Sequence, residues 1–277
     1  MSDRARDTRI SMILSWLTRR GELQVRLLAP LLGVSGATVR RDLAVMEEKG
    51  LIRRSYGRIT ATRRSTELPV SLRLSQNTEA KRRIGALASS LIPPRTLTVA
   101  LGGGSTVGFV ARNLAARRDL TVVTNGLDTA TCLTARQTVN VVVTGGTARP
   151  LSNDLVGKAA EQTLRSYQFD FAVVGTDGVS PKAGFTQHSP SGAEIDRIML
   201  EQAECGIIVA DSSKLGKVHK TKFADIASLH TMVTDSHANA DMVAFLRKSG
   251  LNTILVVIPP DAGFTQRAKP GVSPKPR

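Results

Sequence analysis

The sequence predicts an α/β protein in two unequal parts: a small, mainly helical N-terminal unit, then a larger unit built on a mainly parallel β-sheet. Three observations predict it. The first sixty residues carry helical hydrophobic spacing and a concentration of arginine. From Thr78 onward, short β-branched runs alternate with helical stretches. Those runs are almost continuously apolar, as strands buried on both faces must be. A chain of 277 residues is long enough for two such cores.

Charge separates the two parts. Lys and Arg number 38 against 23 Asp and Glu, a formal net charge of +15. Residues 1–64 hold 14 basic and 6 acidic side chains, so under a quarter of the chain carries an excess of eight. Arg267 to Arg277 adds four positive charges among three prolines and reads as a flexible basic tail over 263–277. No apolar run reaches the roughly 18–20 residues that span a bilayer. The N-terminus is charged and lacks the apolar core of a secretory signal. Cys132 and Cys205 are too few for a disulfide framework, and no His/Cys pattern calls for a metal or cofactor. The expectation is a cytoplasmic protein whose ligands are anionic.

The first unit, 1–60, is justified helix by helix. Ile10, Ile13, Leu14 and Leu17 fall three and four residues apart on one face of a helix over Arg6 to Arg19, which Gly21 ends. Leu27, Leu28, Leu31 and Leu32 mark a short apolar helix over Val25 to Leu32, with Pro30 expected early in it. Gly33 turns the chain and Ser35 caps a third helix that buries Val39, Leu43 and Met46 and stops at Gly50. Its outward face presents Ala37, Thr38, Arg40 and Arg41. Small residues at a helix N-terminus allow close approach to a major groove, where Thr and Arg reach base edges and phosphates. From Leu51 to Ile59 apolar and basic residues alternate around Gly57, which predicts a β-hairpin wing. Arg53, Arg54, Tyr56 and Arg58 would meet the DNA backbone there. Helices, turn and wing together make a winged helix-turn-helix that binds double-stranded DNA.

Residues 61–77 are polar, contain Pro69 and show no period, so they read as a linker. The second unit, 78–262, opens with a helix from Thr78 to Leu91 and continues with seven strands. They are expected at 97–101, 120–124, 139–144, 171–175, 206–210, 231–234 and 253–258. Ligands of such sheets sit beyond the carboxyl ends of the strands. Five of these strands run into polar segments: Gly102-Gly103-Gly104-Ser105-Thr106, Thr124-Asn125-Gly126, Gly145-Gly146, Thr176-Asp177-Gly178 and Asp211-Ser212-Ser213-Lys214. Glycines with hydroxyls at a helix N-terminus suit a phosphate. The triple-glycine loop is neither a Walker A motif nor a dinucleotide fingerprint. A hydroxyl-rich phosphorylated metabolite fits this edge.

The run Val34-Ser35 through Thr38-Val39-Arg40-Arg41-Asp42-Leu43, with Glu47, Gly50, Leu51 and Arg54, resembles the winged helix of the DeoR family of bacterial transcriptional regulators. The later motifs Thr124-Asn125-Gly126, Gly145-Gly146, Leu155-Val156-Gly157, Gly175-Thr176-Asp177-Gly178 and Asp211-Ser212-Ser213-Lys214 are similar to that family's sensor domain. The resemblance implies a sensor of the ribose-5-phosphate isomerase-like type and a phosphorylated sugar as effector. By position, Gly104, Ser105 and Thr106 would hold the phosphate, Lys214 would supply charge, and Asn125 and Asp177 would contact the ligand. It further implies a repressor of carbohydrate or polyol genes, relieved by its effector and acting as a homo-oligomer.

Two rival readings are a nonspecific nucleic-acid-binding protein, which predicts steep salt dependence with little sequence preference, and a sugar-phosphate isomerase on the same fold. Moving a proton between carbons needs a positioned base and a polarising group. Asp177-Gly178 continues into Val179-Ser180-Pro181 without a second acid. Glu194 and Asp196 are expected on a helix surface or in a structural role, and His188 is expected to be an incidental loop residue. No catalytic residue is therefore assigned.

Overall fold

The computed structural model describes residues 3–62 and 67–258; the basic stretch 263–277 lies outside them. The N-terminal unit comprises α1 (Asp3–Arg20), β1 (Glu22–Gln24), α2 (Val25–Leu32), α3 (Gly36–Glu48), β2 (Ile52–Ser55) and β3 (Arg58–Ala61). Ile10, Ile13, Leu17, Val39, Leu43 and Met46 are all buried, as their spacing requires. β2 and β3 form the wing, and the short β1 adds a third antiparallel strand in the order β1-β3-β2. Tyr56 and Gly57 both take positive φ (44° and 72°), the two-residue turn whose twist matches a hairpin.

One expectation about α2 is corrected. Pro30 lies in its second half rather than its early part. The missing N–H therefore removes a helical bond to the carbonyl four residues back, and Gly33 ends the helix three residues later at φ 64°. Of the four leucines only Leu28 is fully buried; Leu27 and Leu31 are about half exposed. An eight-residue helix buries one narrow stripe, in which Val25, Ala29 and Leu32 pack beside Leu28 against the core.

The polar stretch after the wing is not featureless. Residues 70–75 form α4 (Val70–Ser75), with Val70 and Leu72 buried. Six residues are too few for a hydrophobic period to show in sequence.

The larger unit continues with α5 (Thr78–Ser90), β4 (Leu97–Leu101), α6 (Val107–Leu114), β5 (Leu120–Thr124), α7 (Leu127–Thr134) and β6 (Asn140–Val143). A hairpin of β7 (Thr147–Arg149) and β8 (Asp154–Val156) leads to α8 (Lys158–Arg165) and β9 (Phe169–Gly175). Then come β10 (Gly178–Ser180), β11 (Gly184–Gln187), α9 (Pro190–Glu201), β12 (Ala203–Val209), β13 (Thr221–Ala224), β14 (Thr231–Asp235), α10 (Ala240–Lys248) and β15 (Asn252–Val256).

All seven expected strands join one sheet, ordered β15-β14-β12-β9-β4-β5-β6, and every pairing in it is parallel. Residues alternate between two cores. Val99 and Leu101 pack with α5, α6 and α7, while Ala100 faces the side covered by α8, α9 and α10. The chain winds from β4 outward to β6, then crosses back to place β9 on the other flank of β4. Strand order thus reverses at β4 and β9, and a crevice opens beyond their carboxyl ends. The small antiparallel sheet β10-β11-β13 stands beside it.

Candidate functional site

The crevice at that reversal is a polar cavity lined by Gly103, Gly104, Ser105, Thr106, Asn125, Asp177 and Lys214. The six expected effector residues therefore converge from four strand ends. Gly104 takes a φ of 94°, which favours glycine, and lets the loop turn into α6. Ser105 and Thr106 are almost fully buried at its N-terminus, where helix amides and hydroxyls attract an anion.

Asp177 is the hub of a charge cluster. His188 Nδ1 stands 2.7 Å from its Oδ2, Lys214 Nζ 3.7 Å and Arg73 Nη1 3.9 Å from its Oδ1. Burial opposes ionisation of Asp177, but the His188 hydrogen bond and the Lys214, His188 and Arg73 charges outweigh it and hold the carboxyl well below its usual range. Burial lowers the Lys214 ammonium, partly offset by Asp177 and Asp211. His188 is thus no incidental loop residue: its backbone N–H donates to Asp177 Oδ2 at 3.1 Å, its ring Nδ1 faces the same oxygen, and its ring lies 3.7 Å from that of His219. Asp196, expected on a surface or in a structural role, instead lines the cavity at 8% exposure. Burial, with the Asp154 and Asp177 charges added, raises its carboxyl well above the ordinary carboxylate range, against the lowering influence of the Gln187 bond and Arg149.

Five further lining residues carried no sequence signal. Glu67 and Arg73 come from the segment read as a linker, and Arg149 and Asp154 from the β7–β8 hairpin. Lys81, on α5, lines an adjoining cavity that shares Arg73, Ser105, Asp177 and Lys214. Its Nζ donates to the carbonyls of Arg73 and Gln76 and faces Asp211 at 3.7 Å; burial brings it down to about 8. Among the described residues no His, Cys, Asp or Glu group is arranged to hold a metal ion.

The segment around α4 touches both units. Arg149 pairs with Glu67, and Val70 N donates to Leu151 O at the hairpin tip, 2.7 Å. Leu72 is buried in the hydrophobic core of the N-terminal unit. Arg73, its neighbour, reaches the cavity, where its Nε and Nη2 are buried without a hydrogen-bond partner among the described residues. Its carboxylate neighbours, Glu67 and Asp177, stand off at 3.8 and 3.9 Å.

In the N-terminal unit, Ser35 Oγ accepts from Thr38 N at 3.2 Å and caps α3. Arg40 and Arg41 are exposed on that helix, Ala37 and Thr38 half-buried at its start. Arg53, Arg54, Tyr56 and Arg58 are exposed on the wing. Arg54 leans back to Glu47 and to the Arg40 carbonyl, and Arg58 pairs with Glu22. Asp42, inside the arginine motif, does not face outward. It is 2% exposed and accepts two bonds from Arg9, at 2.6 and 3.0 Å, which clamp α3 to α1.

Family models match both units: a DeoR-like helix-turn-helix domain over residues 9–65 and a DeoR C terminal sensor domain over residues 76–236. The chain belongs to the DeoR family of transcriptional regulators. It is 35% identical over 251 residues to a putative aga operon transcriptional repressor of Escherichia coli O157:H7, covering 90% of this chain and 93% of that one. It is 31% identical to the HTH-type transcriptional repressor GlcR of Bacillus subtilis, covering 90% and 96%. Among solved structures, ribose 5-phosphate isomerase A of Methanocaldococcus jannaschii aligns with half of this chain and 55% of its own, at 18% identity and a TM-score of 0.38. Within this DeoR-family regulator, residues 66–75 fall between the two matched regions, and they include both Leu72 and Arg73. No helix among the described residues is long and apolar enough to cross a membrane.

Proposed function

We propose that this chain is a repressor of carbohydrate or polyol genes, released from its operator when a phosphorylated sugar occupies the cavity. The observation that carries the reading is the back-to-back placement of Leu72, in the winged-helix core, and Arg73, in the cavity. A buried guanidinium with unmet donors takes up an oxyanion readily, because the desolvation cost is already present. A phosphate drawn onto Arg73 from the Gly104–Thr106 loop shifts α4, and Leu72 carries that shift into the core beneath α3. The effector thereby has different contacts in the two states, as coupling requires.

On the DNA side, Ser35, Ala37, Thr38, Arg40 and Arg41 read the major groove. Arg53, Arg54, Tyr56 and Arg58 follow the backbone. Two copies of the chain present two such faces to paired half-sites, so the working form is a homo-oligomer in the cytoplasm. On the sensor side, Gly104, Ser105, Thr106 and Lys214 hold the phosphate, and Asn125 and Asp177 position the sugar. The names of the repressors it resembles support the sign of the response.

The test is fluorescence anisotropy of DNA from the chain's own upstream region, titrated with protein and then with phosphorylated and unphosphorylated sugars. Tight, sequence-selective binding reversed only by a phosphorylated sugar is expected. Binding that ignores every such sugar contradicts the reading.

A further inference from the structure

The two adjoining cavities overlap. Lys81, Lys217, Ser213 and Asp211 line only one of them, and Glu67, Arg73, Ser105, Asp177 and Lys214 are shared. Asn125, Arg149, Asp154, Gln187 and Asp196 line only the other, together with Gly103, Gly104 and Thr106 of the loop before α6. Among the residues confined to that second cavity the unmet groups are acceptors. Asn125 is 3% exposed, and its Nδ2 donates to Leu155 O at 3.1 Å, which fixes the amide so that Oδ1 is the free atom. Asn125 Oδ1 and Asp154 Oδ1 are both buried with no hydrogen-bond partner among the described residues. Buried acceptors left without donors are costly, and a ligand that supplies donors recovers that cost.

Asp154 is also short of positive charge. The nearest cation, Arg149, stands 3.9 Å from its Oδ2 and is shared with Glu67. The carboxylate packs on the backbone of Gly103, where any Cβ would collide with it, so it cannot withdraw toward the loop. Burial pushes it up to about 6, against the lowering influence of Ser152, Arg73 and Arg149. At neutral pH it is ionised yet incompletely compensated.

We propose that Asp154 and Asn125 form the selectivity end of the effector site, accepting hydrogen bonds from an amine or hydroxyl of the ligand and excluding a second anionic group. The effector class is then a monophosphorylated amino or neutral sugar, not a bisphosphate or a phosphorylated sugar acid. This rests on the sugar-phosphate reading of the same cavity. Amine and hydroxyl share the donor chemistry, and Asp154 separates them: an ammonium gains from its charge, a hydroxyl only from its acceptor atom.

The test is calorimetric titration of the full chain, without DNA, with glucosamine 6-phosphate, glucose 6-phosphate, 6-phosphogluconate and fructose 1,6-bisphosphate. Both monophosphorylated sugars without a carboxylate are expected to bind at least tenfold more tightly than the acid and the bisphosphate, with the amine ahead of the hydroxyl. Asp154→Asn should erase the preference for the amine and bring the acid within about threefold of the neutral sugar. Asn125→Asp, which adds a carboxylate and leaves Asp154 in place, should widen the gap. Equal binding of the acid and the neutral sugar by the wild type overturns the inference and leaves the sugar-phosphate reading intact. Failure of all four to bind at millimolar concentration overturns that reading itself.

Discussion

Ser11 Oγ donates to the carbonyl of Leu72 at 3.3 Å, and a second hydroxyl, Ser75 Oγ, lies 3.1 Å from it. One turn of α4 is thereby bonded to the first helix of the N-terminal unit, while the next residue, Arg73, lines the polar cavity at the strand ends.

Leu72→Ala is expected to cost the winged helix about 2–4 kcal/mol, the usual range for emptying a buried leucine site. Urea unfolding followed by the fluorescence of Trp16, which packs against that core, measures it. The same variant should bind effector normally and release operator poorly. Leu72→Met, which keeps the volume, should restore release.

Arg9 and Asp42 form a buried pair, and breaking one side leaves the other stranded. Arg9→Ala should destabilise the N-terminal unit by about 3 kcal/mol. Its operator affinity should fall only in proportion to the fraction unfolded, since Asp42 faces the core. A loss of affinity at full foldedness would place this pair on the DNA side instead.

Asp154 gives a pH signature with a definite sign. Its carboxyl holds its proton up to about 6 in the folded chain, against an ordinary value of 3.8, so folding favours the protonated form. Its contribution to stability is therefore lost as pH rises from about 4 through about 6 and levels off about one unit higher. Asp154→Asn removes the loss and should stabilise the unliganded protein by roughly 2 kcal/mol at pH 7, with no gain below pH 4. The variant should be more stable and less selective, the trade expected where a buried charge serves binding. Thermal unfolding across pH 3.5–7.5 checks it.

The DNA face predicts two kinds of loss. Arg41→Ala should weaken specific binding by about 1–3 kcal/mol and relax discrimination at one base position. Arg53→Ala should weaken all sequences alike and reduce the salt slope by about one. Anisotropy titrations at several salt concentrations on operator and scrambled duplexes separate them.

The sheet was legible because each strand is a β-branched run buried on both faces, which survives into sequence as an unbroken apolar stretch. The strand-end residues Gly104, Ser105, Thr106, Asn125, Asp177 and Lys214 followed from that sheet, since ligands gather at one edge of it. Arg73, Glu67, Arg149, Lys81 and Asp154 were not legible. They reach the cavity from a six-residue helix and the segment just before it, a hairpin and a helix face, and long charged side chains spaced far apart leave no period. His188 and Asp196 were visible but read as incidental or structural, because tertiary contacts give them their roles and no spacing encodes those contacts. For His188 the contact is the Asp177 carboxylate; for Asp196 it is the strand-end crevice. Asp42, next in sequence to the exposed Arg40 and Arg41, turns inward to Arg9.

Signalling through Arg73 is tested most directly by operator affinity with and without saturating effector, compared between wild type and Arg73→Gln, with effector binding measured separately. Wild type should lose at least tenfold in operator affinity on binding effector. Arg73→Gln should match the wild type on operator alone, still bind effector through the Gly104–Thr106 loop and Lys214, and release DNA by less than threefold. Full release by Arg73→Gln, with effector bound, would contradict a signal that passes from the cavity through Arg73 and Leu72 to the winged helix.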